Sequence, residues 1–588
     1  MRQIKISNYI SMTLIMCIVL VMFQFTGVSK SFLSSENFNQ YAKNTKWNQS
    51  NILQIDSLKN KDTNHIAIID YDETYTSEWC YYYKQNYYLY SSLSQIDVHQ
   101  TSTIIINPRL LSFPNDIEKL EELTQNNVHI IFTELPSIEI IQEYSLLKKI
   151  LGIKEIVDEN YHLESMHIFD DFLLGGETIY EDNQEMTVSI DIPYVTLLPS
   201  YKVYMSGIID DEDIDNEKMP ALIWKSYYNQ GHIYVINFPI SDSIIGLGFL
   251  SALIYETQDD MIYPIVNANT TTLINYPLLT KENNDVVTKR YGQDSLSLSR
   301  DVLWPGIVAN VKAIQTNITT MLAPRLDYSQ TSEIDEDLLD FYMRQIEGES
   351  GEMGLSLSQV SDIDISEQIQ MNLKLLKKNY SQYQLKTISA TDLTDEQIQS
   401  VVESKAFKDL RTVLVNRNDN GYLLGQFYDD VLKIKVTWDG FDYQMVDDLR
   451  LKSLFTVLGM NNTYLDMRCI YYPTSIEDDW KDLSKKWSKY GVTYMKPFQV
   501  FDDVQLSLQD QRIRRFLALE YETYRSDNII QVNLKNFDEE AFFILRTHNN
   551  DILSITNGTY QKIADGSYLI HAQSEQFQVE LKERESNE

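Results

Sequence analysis

Imidazoles, thiols and carboxylates limit the chemistry a chain can run. The eight histidines, His65, His99, His129, His162, His167, His232, His548 and His571, form no HxxH, HxxxH or HExxH spacing, the spacings that aim two ring nitrogens at one metal. His162 and His167 are five residues apart, a poor match to one helix face, and most others fall in or beside expected strands. Each reads as a structural histidine, and no metal is expected. There is no P-loop. The one G-x-G, Gly246-Leu247-Gly248, falls late in its unit, whereas a dinucleotide site needs it after the first strand. The turn after the first strand, Asp70-Tyr71-Asp72-Glu73, would repel phosphate. No cofactor is expected. There is no G-x-S-x-G elbow, and Cys80 has no histidine near it in sequence, so it reads as a buried thiol.

Carboxylates remain. A barrel builds its site where strands run out into loops, and several polar residues fall at or near such places. They are Asn267, Asn269, Arg325, Asp327, Glu352, Asp429, Asp430, Asp439 and Asp466. Asp327, Glu352 and Asp439 are the acids that could do acid/base work on a glycosidic bond. Tyr328, Trp438 and Tyr443 neighbour these acids, and an aromatic face beside carboxylates suits a sugar ring. Asn267, Asn269, Arg325, Asp327, Tyr328, Glu352, Trp438 and Asp439 are therefore the expected ligand contacts. In a chain with 85 acids, some fall at strand ends by chance, so sugar binding without turnover is expected ahead of catalysis.

The elements that would position them divide the chain. Apolar runs at 65–70, 103–107 and 128–133 read as strands buried on both faces. Helical stretches at 116–123 and 138–150 separate them, a pattern that predicts a parallel, Rossmann-like α/β domain over 64–258. A second α/β unit over 259–526 has strand candidates at 262–268, 318–323, 353–357, 385–388, 412–415, 434–437, 464–467 and 492–495. Helices separate most of them, and Thr394 with Gln397 makes a capping box. Gly491 reads as the stop of a helix that opens at Ser475. About eight strands alternating with helices predict a (β/α) barrel, complete or distorted. The last segment, 527–588, has short strands with hairpin turns at Asn557-Gly558 and Asp565-Gly566, and predicts a small antiparallel β domain.

At the N-terminus, Arg2 and Lys5 precede an uncharged stretch from Ile6 to Ser29. About 20 apolar residues span a bilayer, and the positive flank stays in the cytoplasm. Residues 1–29 thus read as a membrane anchor, with a cleaved signal peptide as the rival reading. A polar spacer at 30–63 follows, and the bulk of the protein is expected outside the cell. The formal charge of −35 argues against nucleic acid and anionic lipid surfaces and is compatible with a cationic partner such as an amino-sugar polymer. Cys80 and Cys469, the two cysteines beyond the anchor, are expected as separate buried thiols.

The order of parts adds a resemblance. It is carried by Gly231-His232-Ile233-Tyr234-Val235-Ile236-Asn237, Ile262-Tyr263-Pro264-Ile265-Val266-Asn267-Ala268, Gly354-Leu355-Ser356-Leu357-Ser358, Asp466-Met467, Tyr472-Pro473, Arg512, Arg515-Phe516-Leu517-Ala518-Leu519 and Leu545-Arg546-Thr547. The chain resembles an uncharacterised family of extracellular proteins encoded beside Pel-type exopolysaccharide genes in Gram-positive bacteria. The resemblance implies an amidotransferase-like or reductase-like α/β domain fused to a polysaccharide-deacetylase-like barrel. Active deacetylases of that type carry an Asp-Asp pair after the first barrel strand and an HxxxH-type metal pair. Here the expected first strand leads to Asn267-Ala268-Asn269, and Phe169-Asp170-Asp171 and Phe501-Asp502-Asp503 lie elsewhere. The resemblance therefore implies a barrel without the metal chemistry. Such a protein would serve polysaccharide production or export by holding polymer, or synthase and export partners, at the outer membrane face. The alternatives are a metal-independent glycoside hydrolase or transferase working through paired carboxylates, and a purely structural assembly protein.

Overall fold

The computed structural model describes residues 65–584, apart from 71–73, 182–185, 200, 210–217, 241, 330–331, 350, 362, 380–383 and 418–420. The expected anchor and spacer lie outside the described residues. Among the described residues no helix is long and apolar enough to cross a membrane.

The architecture is mixed α/β. His65–Ile69, Thr101–Ile106 and His129–Phe132 carry β-branched residues at ten of their fifteen positions, and their central residues are fully buried. They pair in parallel and continue into Gly231–Ile236. Tyr87–Leu89 pairs in parallel at one edge, and antiparallel strands Ala221–Tyr228, Tyr201–Gly207, Met166–Ile168 and Thr178–Tyr180 extend the sheet to nine. Two helices cover one side of it, α1 (Thr74–Tyr83) and α2 (Ser243–Tyr255). From Ile245 to Tyr255 every residue of α2 is buried, because it packs on α1 and also on α3 (Met445–Leu458) of the next unit. Gly248 makes that contact possible: a Cβ there would come within 2.6 Å of the Ser453 Cα on α3. The G-x-G thus serves helix packing. One apolar core runs from Ile68 and Leu250 through Leu454 and Phe455 into the barrel at Met321 and Ile434.

Residues expected as the first barrel strand belong elsewhere. Asp260–Ile265 pairs antiparallel with Ala541–Thr547 and is an outer strand of the C-terminal sandwich. The barrel opens instead with β1 (Ala268–Ile274), followed by β2 (Ile318–Leu322), β3 (Glu352–Ser356), β4 (Thr387–Ser389) and β5 (Thr412–Val415). The sixth strand, β6, runs through Val431–Lys435 and Trp438–Asp439. β7 is Met460–Asp466. The first half of β6 bonds to β5 and its second half to β7, which itself pairs with β1. One strand thereby hands the register from one sheet edge to the other, and seven parallel strands make the ring. The expected eighth strand, 492–495, is absent because the helix Trp480–Thr493 runs through it. Gly491 lies inside that helix, packed against Ile314, and does not end it. Helix α4 (Leu506–Ala518) closes the base of the ring. The capping box at Thr394 and Gln397 forms as the spacing predicts. Cys80 and Cys469 are separate free thiols, and burial pushes both upward.

Candidate functional site

Alternation along the barrel strands sorts side chains to two faces. Leu355, Ile388 and Val413 pack outward against helices. Their neighbours Ser356, Ser389 and Leu414 therefore face the axis. On β6 and β7, Asp439 is in register with Tyr464, and Asp466 lies one inward position further along. Ile274, Ser356, Ser389, Asp439, Tyr464 and Asp466 all stand at the C-terminal ends of their strands. The mouth of the ring is thus rimmed by hydroxyls, a phenol and two carboxylates.

The two carboxylates are held differently. Asp466 Oδ1 accepts from Asn275 Nδ2 at 2.6 Å and from Arg468 N at 2.9 Å, and its Oδ2 accepts from Arg468 Nη2 at 3.0 Å. Arg468 also reaches Asp392 Oδ2 at 2.5 Å. Asn275, left-handed at φ 63, is oriented by Ser356 Oγ, which donates to its Oδ1 at 2.6 Å. Asp439 has no such cation. Its Oδ1 accepts from Phe441 N at 2.9 Å. Burial pushes the Asp439 carboxyl up to about 7; the Phe441 N–H opposes the shift, and the negative charges of Asp466, Asp442 and Asp447 add to it. The same burial and the Asp439 charge raise the Tyr464 phenol. One rung across and two residues along places the Asp439 and Asp466 Cα atoms about 8 Å apart. Two neighbouring acids in unlike surroundings, one buried without a cation and one paired with an arginine, are the usual setting of an acid/base pair.

The expected site residues are distributed over both ends of the barrel. Asp439 is at the mouth. Arg325, Asp327 and Tyr328 follow β2 on the same end, but Asp327 is turned onto Ser329, accepting from its N at 3.0 Å and its Oγ at 2.6 Å. Buried Glu282 organises this loop, accepting from Leu326 N, Asp327 N and Tyr472 OH at 2.9, 3.0 and 2.8 Å. Arg325 Nη2 donates to the Ser332 carbonyl, and the Tyr328 hydroxyl is buried. Asn267, Asn269 and Glu352 lie at the opposite end. Asn267 Oδ1 accepts from Asp502 N at 3.0 Å, and Asn269 Nδ2 donates to Asp503 Oδ2 at 2.8 Å. They stitch the 502–503 segment to the base of β1. This placement follows from the one-strand shift, since Asn267-Ala268-Asn269 begins β1 and does not end it.

Glu352 begins β3. Its carboxylate accepts from Ser507 N, in the first turn of α4, at 2.9 Å and from Thr387 Oγ1 at 3.1 Å. It is an anchor for α4 and no mouth acid. Glu352→Ala should lower stability by about 2–3 kcal/mol, the cost of leaving buried donors unmet. Ligand affinity of the folded protein should stay unchanged, and thermal melts run beside ligand titrations check both. Trp438 faces away from the axis, with its ring 5.0 Å from Tyr443 and 6.0 Å from Tyr490. Tyr443 is buried and donates to Asp448 at 2.7 Å. Neither offers a face to a sugar at the mouth. Asp430 pairs with Arg411 at 2.7 Å, and Asp429 occupies the turn before β6 with φ 53. Asn275, Tyr464, Ser389, Asp392 and Arg468 were outside the expected set; Asp392 and Arg468 sit just past strand ends, the signal that marked the other candidates.

No histidine occurs between Ala268 and Ala518. Among the described residues no group of three or more His, Cys, Asp or Glu is placed to hold a metal ion. The mouth's donor set, Asp439 and an Asp466 already engaged by an arginine and an amide, with no imidazole beside them, does not fit the deacetylase metal site.

Fold and site together define an α/β barrel protein with an acidic, hydroxyl-rimmed mouth. Residues 211–356 match the family described as "Uncharacterised protein conserved in bacteria (DUF2194)". No curated protein matches the chain. Among solved structures, a β-galactosidase from Bacillus circulans sp. alkalophilus aligns at 13% identity over 35% of this chain and 34% of its own, with a TM-score of 0.24. A Parabacteroides distasonis protein described as a glycoside hydrolase/deacetylase aligns at 10% identity over 48% of this chain and 82% of its own, with a TM-score of 0.29. The chain spans about a third of the length of the first two such structures, both β-galactosidases. None of these alignments transfers a residue role.

Proposed function

We propose that this protein engages a carbohydrate chain at the barrel mouth, as a membrane-anchored accessory of extracellular polysaccharide production or export. The observation that carries the reading is the set of strand ends at the mouth, where the part-exposed Asp439, Asp466 and Tyr464 place two carboxylates and a phenol together. The polymer class, the anchored location and the synthase or export partners extend this reading from the sequence. The test is retention of the detergent-solubilised full chain on immobilised neutral and amino-sugar polysaccharides. Retention that Tyr464→Ala weakens at least tenfold supports it; passage through every polymer at the speed of an inert protein removes it.

A second reading is favoured by the raised Asp439 carboxyl standing one strand from the arginine-paired Asp466. Asp439, carrying its proton near neutrality, can donate to a leaving glycosidic oxygen. Asp466, ion-paired with Arg468, faces the same opening from the next inward position on β7. On this reading the protein cleaves or transfers glycosidic bonds without a metal, and release of new reducing ends from a polysaccharide is the measurement.

A further inference from the structure

A cluster of cations and imidazoles stands in the α/β unit, at the end of the nine-stranded sheet where its parallel strands begin. Register lines up His129, His232 and Tyr227 on three adjacent strands. Two residues along on the same face stand Tyr234, Lys225 and Lys202. Helix α2 ends over Tyr234, whose hydroxyl donates to the Glu256 carbonyl at 2.8 Å. Beyond that point the two imidazoles are half-buried and Tyr227 is 48% exposed. Lys225 is 7% exposed, yet it makes no hydrogen bond or ion pair with any described residue. Its Nζ stands 5.1 Å from the Tyr227 ring centre and 5.6 Å from that of Tyr234. Those rings attract an ammonium but do not answer its three N–H donors.

The charges decide the ligand class. Glu256 is the carboxylate whose field reaches Lys225 and His232, and it is already engaged, accepting from Lys202 Nζ at 2.9 Å and Tyr204 OH at 2.7 Å. The Lys225 charge is therefore left uncompensated in a chain whose formal charge is −35. Donors surround it. The His129 and His232 rings stack at 4.9 Å, and the Tyr227 ring meets His232 edge-on at 5.1 Å. Burial, with the Lys225 charge beside them, pulls both imidazoles below their ordinary range, His232 to about 4, so each carries one N–H near neutrality. His232 N donates to His129 Nδ1 at 3.3 Å, which leaves the His129 proton on Nε2. A metal cation would meet the Lys225 charge, and a neutral ligand would leave that charge unpaired. An oxyanion supplies the counter-charge and accepts from the ammonium, an imidazole and the phenol together. These donors rise from strands about 4.8 Å apart, a spread that suits a four-oxygen tetrahedral group better than a planar carboxylate. We infer that Lys225, His129, His232 and Tyr227 form a binding site for a phosphate group, separate from the barrel mouth and sharing none of its residues.

The experiment is calorimetric titration of the full chain, solubilised in a phosphate-free detergent, at constant ionic strength. Three probes are used: inorganic phosphate, glucose 1-phosphate and the diester glycerophosphoglycerol. Lys225→Met keeps the side-chain volume and removes the charge, and should weaken phosphate binding by about tenfold or more. Tyr227→Phe removes only a hydroxyl and should weaken it by about threefold, which keeps the test open if the lysine variant does not fold. Lys154→Met makes the same change of charge at an exposed site of the same unit and should bind like the parent. Phosphate should also raise the melting temperature of the parent and leave that of Lys225→Met unmoved. Binding of the first two probes alone assigns the site to free phosphate or a monoester. Binding of the diester as well assigns it to a lipid headgroup or a phosphodiester polymer. Three results overturn the inference: no binding of any probe, equal losses in Lys154→Met and Lys225→Met, or a folded Lys225→Met that binds phosphate like the parent.

Discussion

On the glycosidase reading, Asp439→Asn should lower cleavage of a polysaccharide substrate by about 10²–10⁴-fold, the usual contribution of a positioned general acid, and on either reading it should make the fold more stable above neutral pH. Both effects have one cause. Burial holds the Asp439 carboxyl at about 7 instead of its ordinary 3.8. The proton needed for donation is present below that value and gone above it, so the wild-type rate should fall as pH rises through about 7. Stability moves the same way. A carboxyl whose folded value is raised contributes stability that is complete below pH 3.8 and is lost as pH climbs to about 7. At pH 8 the wild type carries the whole penalty of a buried charge, up to about 4 kcal/mol at 1.36 kcal/mol per unit. Asparagine keeps the acceptor for the Phe441 N–H and carries no charge. Its melting temperature should exceed the wild type's at pH 8 and coincide with it near pH 4. A variant with the wild-type rate, or a wild-type rate flat from pH 5 to 9, would exclude Asp439 as the acid. Equal melts at pH 8 would show that the carboxylate is not buried as described.

Much of this arrangement was legible in the residues. The β-branched runs at His65–Ile69 and Thr101–Ile106 could only be buried strands, and Thr394 with Gln397 could only open a helix. The site was less legible because it depends on a single register. Ile262 to Ala268 is an apolar run whereas Ala268 to Ile274 is threonine-rich, so apolar patterning favours the first as the barrel strand although the second is the one that joins it. The answer comes from Ala541–Thr547, some 280 positions away, which captures the first run by antiparallel pairing. That choice moved the expected end of β1 from Asn267 and Asn269 to Asn275, and with it the axis of the candidate site. Glu352 was misplaced by the same ambiguity: it begins β3, and an acid at a strand end reads alike from either direction. Trp438 shows a related limit. Its neighbour Asp439 points into the ring, so alternation turns Trp438 out, but only the β6–β7 register reveals which of the two faces the axis. Buried pairings such as Asp466 with Arg468 are local and could be found by their spacing; Asn275 with Asp466 joins residues 191 apart and could not.

Asp448→Ala should be the most destabilising single substitution of a polar residue at the junction of the α/β unit and the barrel, at about 3–5 kcal/mol. Asp448 lies on α3 and is 4% exposed. It accepts from the hydroxyl of Tyr180, in the outermost strand of the α/β sheet, and from Tyr443 after β6 at 2.7 Å. Lys452 Nζ stands 4.0 Å away. Truncation strands two buried phenols and removes the counter-charge of a buried ammonium. Burial already pulls the Lys452 ammonium below its ordinary range, against the pull of Asp448. Without Asp448 it falls further, and a lysine with a depressed folded value loses stability as pH falls through that value. The deficit of Asp448→Ala should therefore be larger at pH 6 than at pH 9. Asp448→Asn keeps one acceptor and should cost less. Because the apolar core is continuous across the junction through Leu250 and Leu454, one cooperative transition should move as a whole in thermal melts. A deficit under 1 kcal/mol, or one that grows with pH, would refute this account of the junction.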